Sequence, residues 1–167
     1  MAARIRPVLQ QLSSCNRDAI SNLLRESGKP GCREPHVTAI NRESTEHGPG
    51  FSLSAARWMA GVYIADELTS FVLAREGSFE GYVEATLFVD AKWRRQGIGT
   101  LLLKAAMDWA ALHQASTLRF VCARSDWPMR HFARKSGARL DLMLGQLVVD
   151  IVLGSPIDQR QCTPSPG

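Results

Sequence analysis

Three apolar-rich runs of strand length follow one another in the middle of the chain. They cover residues 57–65, 68–75 and 81–89, and they contain the β-branched and aromatic residues that strands favour. Short breaks at Asp66-Glu67 and at Gly77-Ser78 separate the runs. Because breaks of this length join neighbouring antiparallel strands, the pattern predicts a three-stranded meander.

The spacing of the apolar residues changes after the meander, where they recur at the intervals expected along one face of a helix. These residues are Ile98, Leu101, Leu102, Ala105, Trp109 and Leu112. The pattern then predicts a strand over 117–123, a helix over 126–135 that stops near Gly137, and two strands over 139–144 and 147–153.

The sequence before the meander is less regular. Residues 4–8 suit a short strand that Pro7 confines to the edge of a sheet. Asn16 and Asp18 are cap-type residues at the start of a predicted helix. Residues 28–50 combine several Gly and Pro residues with no clean period, so they are predicted as loop with at most one broken helix.

These elements belong to one domain, residues 1–153, which is a normal size for one hydrophobic core. The last stretch, 154–167, is rich in Pro, Ser and Gln and is predicted as a flexible C-terminal tail. The order of the elements indicates an α+β fold (mixed α/β), in which helices cover a mixed sheet.

The composition is that of an ordinary globular protein. Of the 167 residues, 45% are hydrophobic and 22% are charged, and no apolar run approaches the roughly 18 residues of a membrane span. The N-terminal residues lack the apolar core of a secretory signal, so we expect a cytoplasmic protein that binds no membrane. The four cysteines lie too far apart for metal-ligand spacing, and we expect free thiols and no metal site.

Positive charge is concentrated in one part of the chain. The net charge is +4, yet residues 119–139 hold six basic residues against the single acid Asp126. Such a patch attracts polyanions, which include nucleic acid and a nucleotide cofactor with three phosphates, although a solvated helix face has the same composition. No helix-turn-helix, zinc or aromatic RNA-binding signature accompanies the patch, so nucleic acid is not the expected partner.

A glycine-containing segment connects the last strand of the meander to the long helix. Its sequence is Arg94-Arg95-Gln96-Gly97-Ile98-Gly99-Thr100. The first turn of a helix offers unpaired N–H groups, glycine lets an anion approach the backbone, and arginines donate charge-assisted hydrogen bonds. The segment lacks the Gly-Lys-Ser/Thr of a Walker A loop and the third Gly of the dinucleotide fingerprint. It therefore predicts a pyrophosphate site of another kind.

The segment resembles the signature of the GNAT superfamily of acyl-CoA N-acyltransferases, Gln/Arg-x-x-Gly-x-Gly/Ala. Arg94, Gly97 and Gly99 occupy its defined positions, and an apolar strand before it and Leu101-Leu102 after it also match. The order of elements agrees over nearly the whole domain. The resemblance implies a mixed, mostly antiparallel sheet of about seven strands with helices on both faces. It also implies acetyl-CoA as the acyl donor.

The resemblance further assigns residues to the coenzyme site. Leu87, Phe88 and Val89 match the strand end that pairs with the pantetheine arm. Asp126 stands where many members have an Asn that touches the coenzyme, and Phe132 matches an aromatic residue of the following helix. The pyrophosphate loop corresponds to Arg94, Arg95, Gln96, Gly97, Ile98, Gly99 and Thr100.

Ala133 departs from the family pattern, because many members have there the Tyr that protonates the departing thiolate. The general acid is then either water or another side chain, and we expect a tyrosine to be tolerated at this position.

Transfer of an acyl group from a thioester to an amine requires a group that accepts the amine's proton. Glu84 lies on the strand that leads into the loop and is the candidate for this general base, with Tyr82 and Glu80 as substitutes. Glu84 is alternatively an ordinary polar residue on the solvent-facing side of its strand.

Two functions are open at this point. The first is an N-acetyltransferase that moves the acetyl group of acetyl-CoA to a primary amine, on a small molecule or a protein, by direct attack in a ternary complex. The second is a non-catalytic module that binds acyl-CoA as a regulatory ligand, which Ala133 favours. The expected partners are acetyl-CoA and an unidentified amine acceptor, and the protein is expected to be a monomer or a homodimer.

Overall fold

The computed structural model describes residues 7–27, 53–124, 127–143 and 145–154 of the protein. These residues form a mixed β-sheet with helices on both of its faces. Its strands are β1 (Val8–Gln11), β2 (Trp58–Ile64), β3 (Glu67–Glu76), β4 (Tyr82–Val89), β5 (Thr117–Ala123), β6 (Arg139–Met143) and β7 (Gln146–Val152). Their order in the described sheet is β1-β2-β3-β4-β5-β7-β6. Neighbouring strands are antiparallel except β4 and β5, which are parallel. The predicted mixed, mostly antiparallel sheet is thus confirmed.

The predicted meander is β2, β3 and β4. Ala65 and Asp66 form the turn between β2 and β3 with φ values of 50° and 63°. This left-handed conformation matches the twist of the two flanking strands, which explains why so short a connection joins them. Strand β5 has the predicted bounds, and β6 and β7 lie within one residue of theirs.

The first strand was predicted over residues 4–8, of which the structure describes only Pro7 and Val8, and β1 runs from Val8 to Gln11. Pro7 has no backbone N–H to donate, and it lies just outside β1. Strand β1 is nevertheless an edge strand, as Pro7 indicated, and it pairs with β2. Residues 1–6, the predicted loop over 28–50 and the predicted tail beyond Gly154 lie outside the described residues.

Helix α1, Arg17–Ser27, packs on one side of the sheet, which we call the α1 face. Its apolar side meets Phe71 of β3 and Phe88 of β4. The two rings stack with their centroids 5.4 Å apart. The α1 face thus has its own apolar core over β2, β3 and β4.

Helices α2, Ile98–Leu112, and α3, Trp127–Lys135, cover the opposite face. Helix α2 connects the parallel strands β4 and β5, which a tight turn cannot join. It buries five residues against the sheet, namely Ile98, Leu102, Leu103, Ala106 and Ala110. Helices on both faces confirm the predicted architecture. In the part of the chain that the structure describes, no helix is long and apolar enough to cross a membrane.

Ala133 is the buried residue of α3 and packs in the core that α3 shares with α2 and the sheet, and its exposed fraction is 0%. Its carbonyl oxygen accepts a hydrogen bond from Ser136 Oγ at 3.0 Å and another from the Ala138 N–H at 3.0 Å. A tyrosine needs space that a close-packed core does not offer. The expectation that tyrosine is tolerated at this position is therefore replaced by the opposite one.

We predict that Ala133→Tyr destabilises the fold by about 1–3 kcal/mol, the usual cost of overpacking a core. Arg134→Tyr is the matched control, since it adds the same ring to the neighbouring, exposed position of the same helix. Thermal unfolding followed by circular dichroism should show a lower Tm for Ala133→Tyr alone. Equal Tm values for both variants would show that space for a phenol exists beside Ala133.

Candidate functional site

Strands β4 and β5 pair along only part of their length. Cα partners run from Tyr82 and Thr117 to Ala85 and Phe120. Beyond that point β4 continues for four residues to Val89 and β5 for three residues to Ala123, without further register between them. On its other side β4 stays paired with β3 up to Val89. The two parallel strands therefore separate at their carboxyl ends, and we call this separation the fork.

The backbone after β4 turns sharply at the mouth of the fork. The Asp90 N–H donates to the Thr69 carbonyl oxygen at 3.1 Å, which ties the turn to β3. The Asp90 carboxylate then accepts a hydrogen bond from the Lys92 N–H at 2.9 Å, which starts a 3-10 turn at Ala91–Trp93. These bonds fix where the loop leaves the sheet.

The predicted loop residues take different positions. The Arg94 Nε donates to the Val89 carbonyl oxygen at 3.0 Å, so this side chain joins the loop to the end of β4. Arg95 and Gln96 are exposed, and Arg95 has a φ of 60°. Of the two arginines, Arg95 is thus the one whose side chain is exposed at the loop.

Gly97 precedes α2 in a left-handed conformation, with a φ of 81°. A Cβ built on Gly97 would meet nothing within 4 Å, whereas one on Gly99 would meet Val89 Cγ2 at 3.9 Å. Ile98 is buried and anchors the start of α2 in the core, and Thr100 is exposed one residue after Gly99. The first N–H groups of α2 have no intrahelical acceptor, so they offer an anion site beside open space.

The side chains at the end of β4 alternate between the two faces of the sheet. Leu87 and Val89 pack on the α2 side, while Phe88 is buried among the residues that contact α1. Phe88 can therefore line the fork with its backbone but not with its side chain. Phe132 of α3 packs against the same core as Leu87. The predicted contact residue Asp126 lies outside the described residues.

Glu84 lies on the α1 face, because side chains alternate along β4 and Phe88 is on that face. It precedes Ala85, the last β4 residue paired with β5. Arg75 of β3 donates to its Oε2 twice, from Nε at 3.0 Å and from Nη2 at 2.7 Å. The side chains of Arg75 and Glu84 are 28% and 20% exposed. Glu84 thus forms a part-buried ion pair with Arg75 beside the fork.

A second ion pair stands next to the first. Arg119 of β5 donates to Asp150 of β7 from Nε and from Nη2, each at 2.7 Å. The Arg119 guanidinium carbon also lies 4.7 Å from the centre of the Tyr82 ring. Hydrogen bonding to Asp150, opposed by burial, raises the pKa of Arg119 above its ordinary value, so this group stays charged.

The basic residues counted between 119 and 139 do not form one patch. Arg119 pairs with Asp150 in the sheet, and Arg139 forms an ion pair with Asp141 at 3.0 Å. Arg134 and Lys135 are exposed at the end of α3. The concentration of charge in the sequence is therefore divided between strands and a helix.

Arg75, Arg119 and Asp150 are site neighbours that sequence reasoning missed. A single sequence shows that opposite charges occur on different strands, but it does not show which residues stand opposite one another. The substitute bases are less favourably placed, because Tyr82 lies under Arg119 and Glu80 is exposed in the turn before β4. Among the described residues there is no cluster of three His, Cys, Asp or Glu suited to a metal.

The comparisons with known proteins agree with this geometry. The model of the acetyltransferase (GNAT) family matches residues 18–138 of the chain. Among curated proteins, none matches the chain in sequence.

Solved structures resemble the whole fold at low sequence identity. The PaiA N-acetyltransferase of Thermoplasma acidophilum, solved in complex with coenzyme A, has a TM-score of 0.68 at 15% identity, with 89% of this chain and 99% of that chain covered. The ribosomal-protein-S18-alanine N-acetyltransferase of Escherichia coli has a TM-score of 0.62 at 12% identity, with coverage of 89% and 94%. Ard1 of Thermoplasma volcanium has a TM-score of 0.61 at 14% identity, with coverage of 88% and 97%.

Sequence identities this low show only that the folds are similar. The family model, by contrast, matches most of the chain in sequence, from the start of α1 to just beyond the end of α3. The chain therefore belongs to the acetyltransferase (GNAT) family.

Proposed function

We propose that this protein transfers the acetyl group of acetyl-CoA to a primary amine by direct attack of the amine in a ternary complex. The observation that carries the proposal is the fork between β4 and β5, with the loop Arg94–Thr100 at its mouth. Family membership supports acetyl transfer in general. The amine acceptor and the acetyl donor are the proposal's own specifications.

The fork suits the pantetheine arm of the coenzyme. Residues 86–89 of β4 pair with β3 on one side, so their remaining N–H and C=O groups face the fork. An extended chain with amide groups can pair with such an edge as an added strand does. The N–H groups at the start of α2 and the exposed Arg95 would then hold the pyrophosphate, with the space above Gly97 left for it.

The position of Glu84 follows from this placement. An arm that enters at the loop and runs back along β4 brings its thioester towards the point where the strands rejoin, beside Ala85. Glu84 lies next to that point, on the α1 face, and would accept the proton that the attacking amine releases. A backbone N–H of β4 would stabilise the charge on the thioester oxygen. Because Ala133 has no acidic group, water would protonate the departing thiolate.

The alternative is a module that binds acyl-CoA without turnover, and the alanine at position 133 favours it. The deciding experiment is a thiol-release assay with acetyl-CoA against a panel of amines, polyamines, amino acids and peptides. Amine-dependent release supports the enzyme. Binding of acetyl-CoA without release from any member of the panel supports the module.

We predict that acetyl-CoA raises the Tm of the wild type and that Gly97→Glu abolishes this shift. A carboxylate at Gly97 would occupy the space proposed for the pyrophosphate and repel it. A ligand at one hundred times its dissociation constant adds about 2.7 kcal/mol of stability, which thermal unfolding detects. Gly145→Glu is the matched control, because Gly145 also has a positive φ, 78°, and a Cβ built on it would likewise meet nothing within 4 Å.

Both variants should lose stability through the same backbone strain, so their unliganded Tm values should be similar. Acetyl-CoA should still stabilise Gly145→Glu. The placement of the pyrophosphate is wrong if acetyl-CoA shifts the Tm of Gly97→Glu as much as that of the control.

We predict that Glu84→Gln lowers turnover by about 10²–10⁴-fold, the usual loss when a general base is removed. The affinity for acetyl-CoA should stay nearly constant, because the side chain is proposed to contact the amine and not the coenzyme. Thiol release measured across pH tests this, and Tm measurements separate it from loss of the ion pair with Arg75. Glu80→Gln, in the exposed turn before β4, is the control. Wild-type turnover in Glu84→Gln at every pH would pass the role to Tyr82, Glu80 or solvent.

A further inference from the structure

Four charged residues of alternating sign form a row across β3, β4, β5 and β7 beside the fork, and Arg139 of β6 continues the row opposite Asp150. Arg75 stands opposite Glu84, Glu84 opposite Arg119, and Arg119 opposite Asp150. Residues directly opposite one another in a sheet project to the same face, so all four lie on the α1 face. Glu84 therefore has a guanidinium group on each neighbouring strand.

Of the two guanidinium groups, that of Arg75 forms hydrogen bonds with Glu84, whereas that of Arg119 forms them with Asp150. Both hydrogen bonds from Arg75 go to the same oxygen, Oε2. Within the described residues, Oε1 accepts no hydrogen bond. An ionised carboxylate has two oxygens that accept hydrogen bonds. Arg75 therefore fixes the orientation of the Glu84 side chain and leaves Oε1 for another partner.

Arg119 is the natural candidate for that second oxygen, because it is the cross-strand neighbour of Glu84. Its guanidinium instead turns to the other side and binds both oxygens of Asp150. Bidentate pairs of this kind are the strongest and most directional that arginine makes. The Tyr82 ring also lies against the guanidinium. Asp150 and Tyr82 thus hold Arg119 away from Glu84.

We propose that Arg75 and Asp150 are positioning residues that together keep Oε1 of Glu84 free to accept the proton of the amine. Arg75 does so by anchoring Oε2, and Asp150 does so by engaging Arg119. This inference rests on the proposed role of Glu84 as general base. Without Asp150, Arg119 would donate to Oε1, and the proton acceptor would be occupied by a cation.

The first experiment removes the charge of Asp150 while keeping its shape. Asp150→Asn should lower thiol release from acetyl-CoA by about tenfold or more, less than the 10²–10⁴-fold cost of losing the general base itself, because Glu84 is retained. Release is measured with acetyl-CoA alone, where water is the acceptor, and with each member of the amine panel. Adding Arg119→Gln to the Asp150→Asn chain should recover most of the loss, because the competing cation is then gone. A residue that only supports the fold would not be rescued by removal of its partner.

The second experiment tests Arg75. It still tests whether Glu84 is held in position by its neighbours if Asp150→Asn does not fold. Arg75→Gln should lower turnover by about tenfold, and Arg75→Lys should restore part of it. In a double-mutant cycle with Glu84→Gln, the two losses should not add, since Arg75 acts through Glu84. The dissociation constant for acetyl-CoA and the Tm, measured for every variant, show whether binding and folding are retained.

The outcomes separate this inference from the function on which it rests. If Glu84→Gln keeps wild-type turnover, the proposed base is wrong and the inference falls with it. If Glu84→Gln loses turnover while folded Asp150→Asn keeps it, or if Arg119→Gln fails to rescue Asp150→Asn, the role of Asp150 is overturned and that of Glu84 stands. Additive losses for Arg75→Gln and Glu84→Gln would equally overturn the role of Arg75.

Discussion

Strands β4 and β5 are parallel neighbours that stop pairing after Ala85 and Phe120. A parallel pair needs a long crossover, and α2 provides it on one face of the sheet. The start of that crossover, the loop Arg94–Thr100, consequently lies at the carboxyl ends of the two strands, where they have already separated. The fork, the loop and the position of Glu84 are therefore parts of one arrangement.

Separating two strands inside a sheet has a physical cost. Backbone N–H and C=O groups that lose their partners must find others, since an unpaired buried group destabilises the fold. The arrangement becomes reasonable once a ligand with amide groups of its own enters the fork. In the proposed complex, the amide groups of the pantetheine arm would pair with these backbone groups.

The charges on the α1 face depend on the same sheet. Glu84 meets Arg75 because β3 and β4 pair in one particular register, and a shift of one residue would turn either side chain to the opposite face. Arg119 has a carboxylate on each side, and its geometry favours Asp150, with which it forms two hydrogen bonds. Glu84 is accordingly held in place by Arg75, and Arg119 by Asp150.

The sequence by itself determined the strands of the meander, the long helix after Ile98 and the loop with Gly97 and Gly99, because these depend on local periodicity and on backbone freedom. It also indicated the family, through the spacing of Arg94, Gly97 and Gly99. It did not show that Arg94 turns back to the Val89 carbonyl oxygen, that Ala133 is fully buried, or that Glu84 is ion-paired. Only the tertiary structure decided these, since each depends on strand register or on packing between elements distant in the chain, which no local pattern encodes.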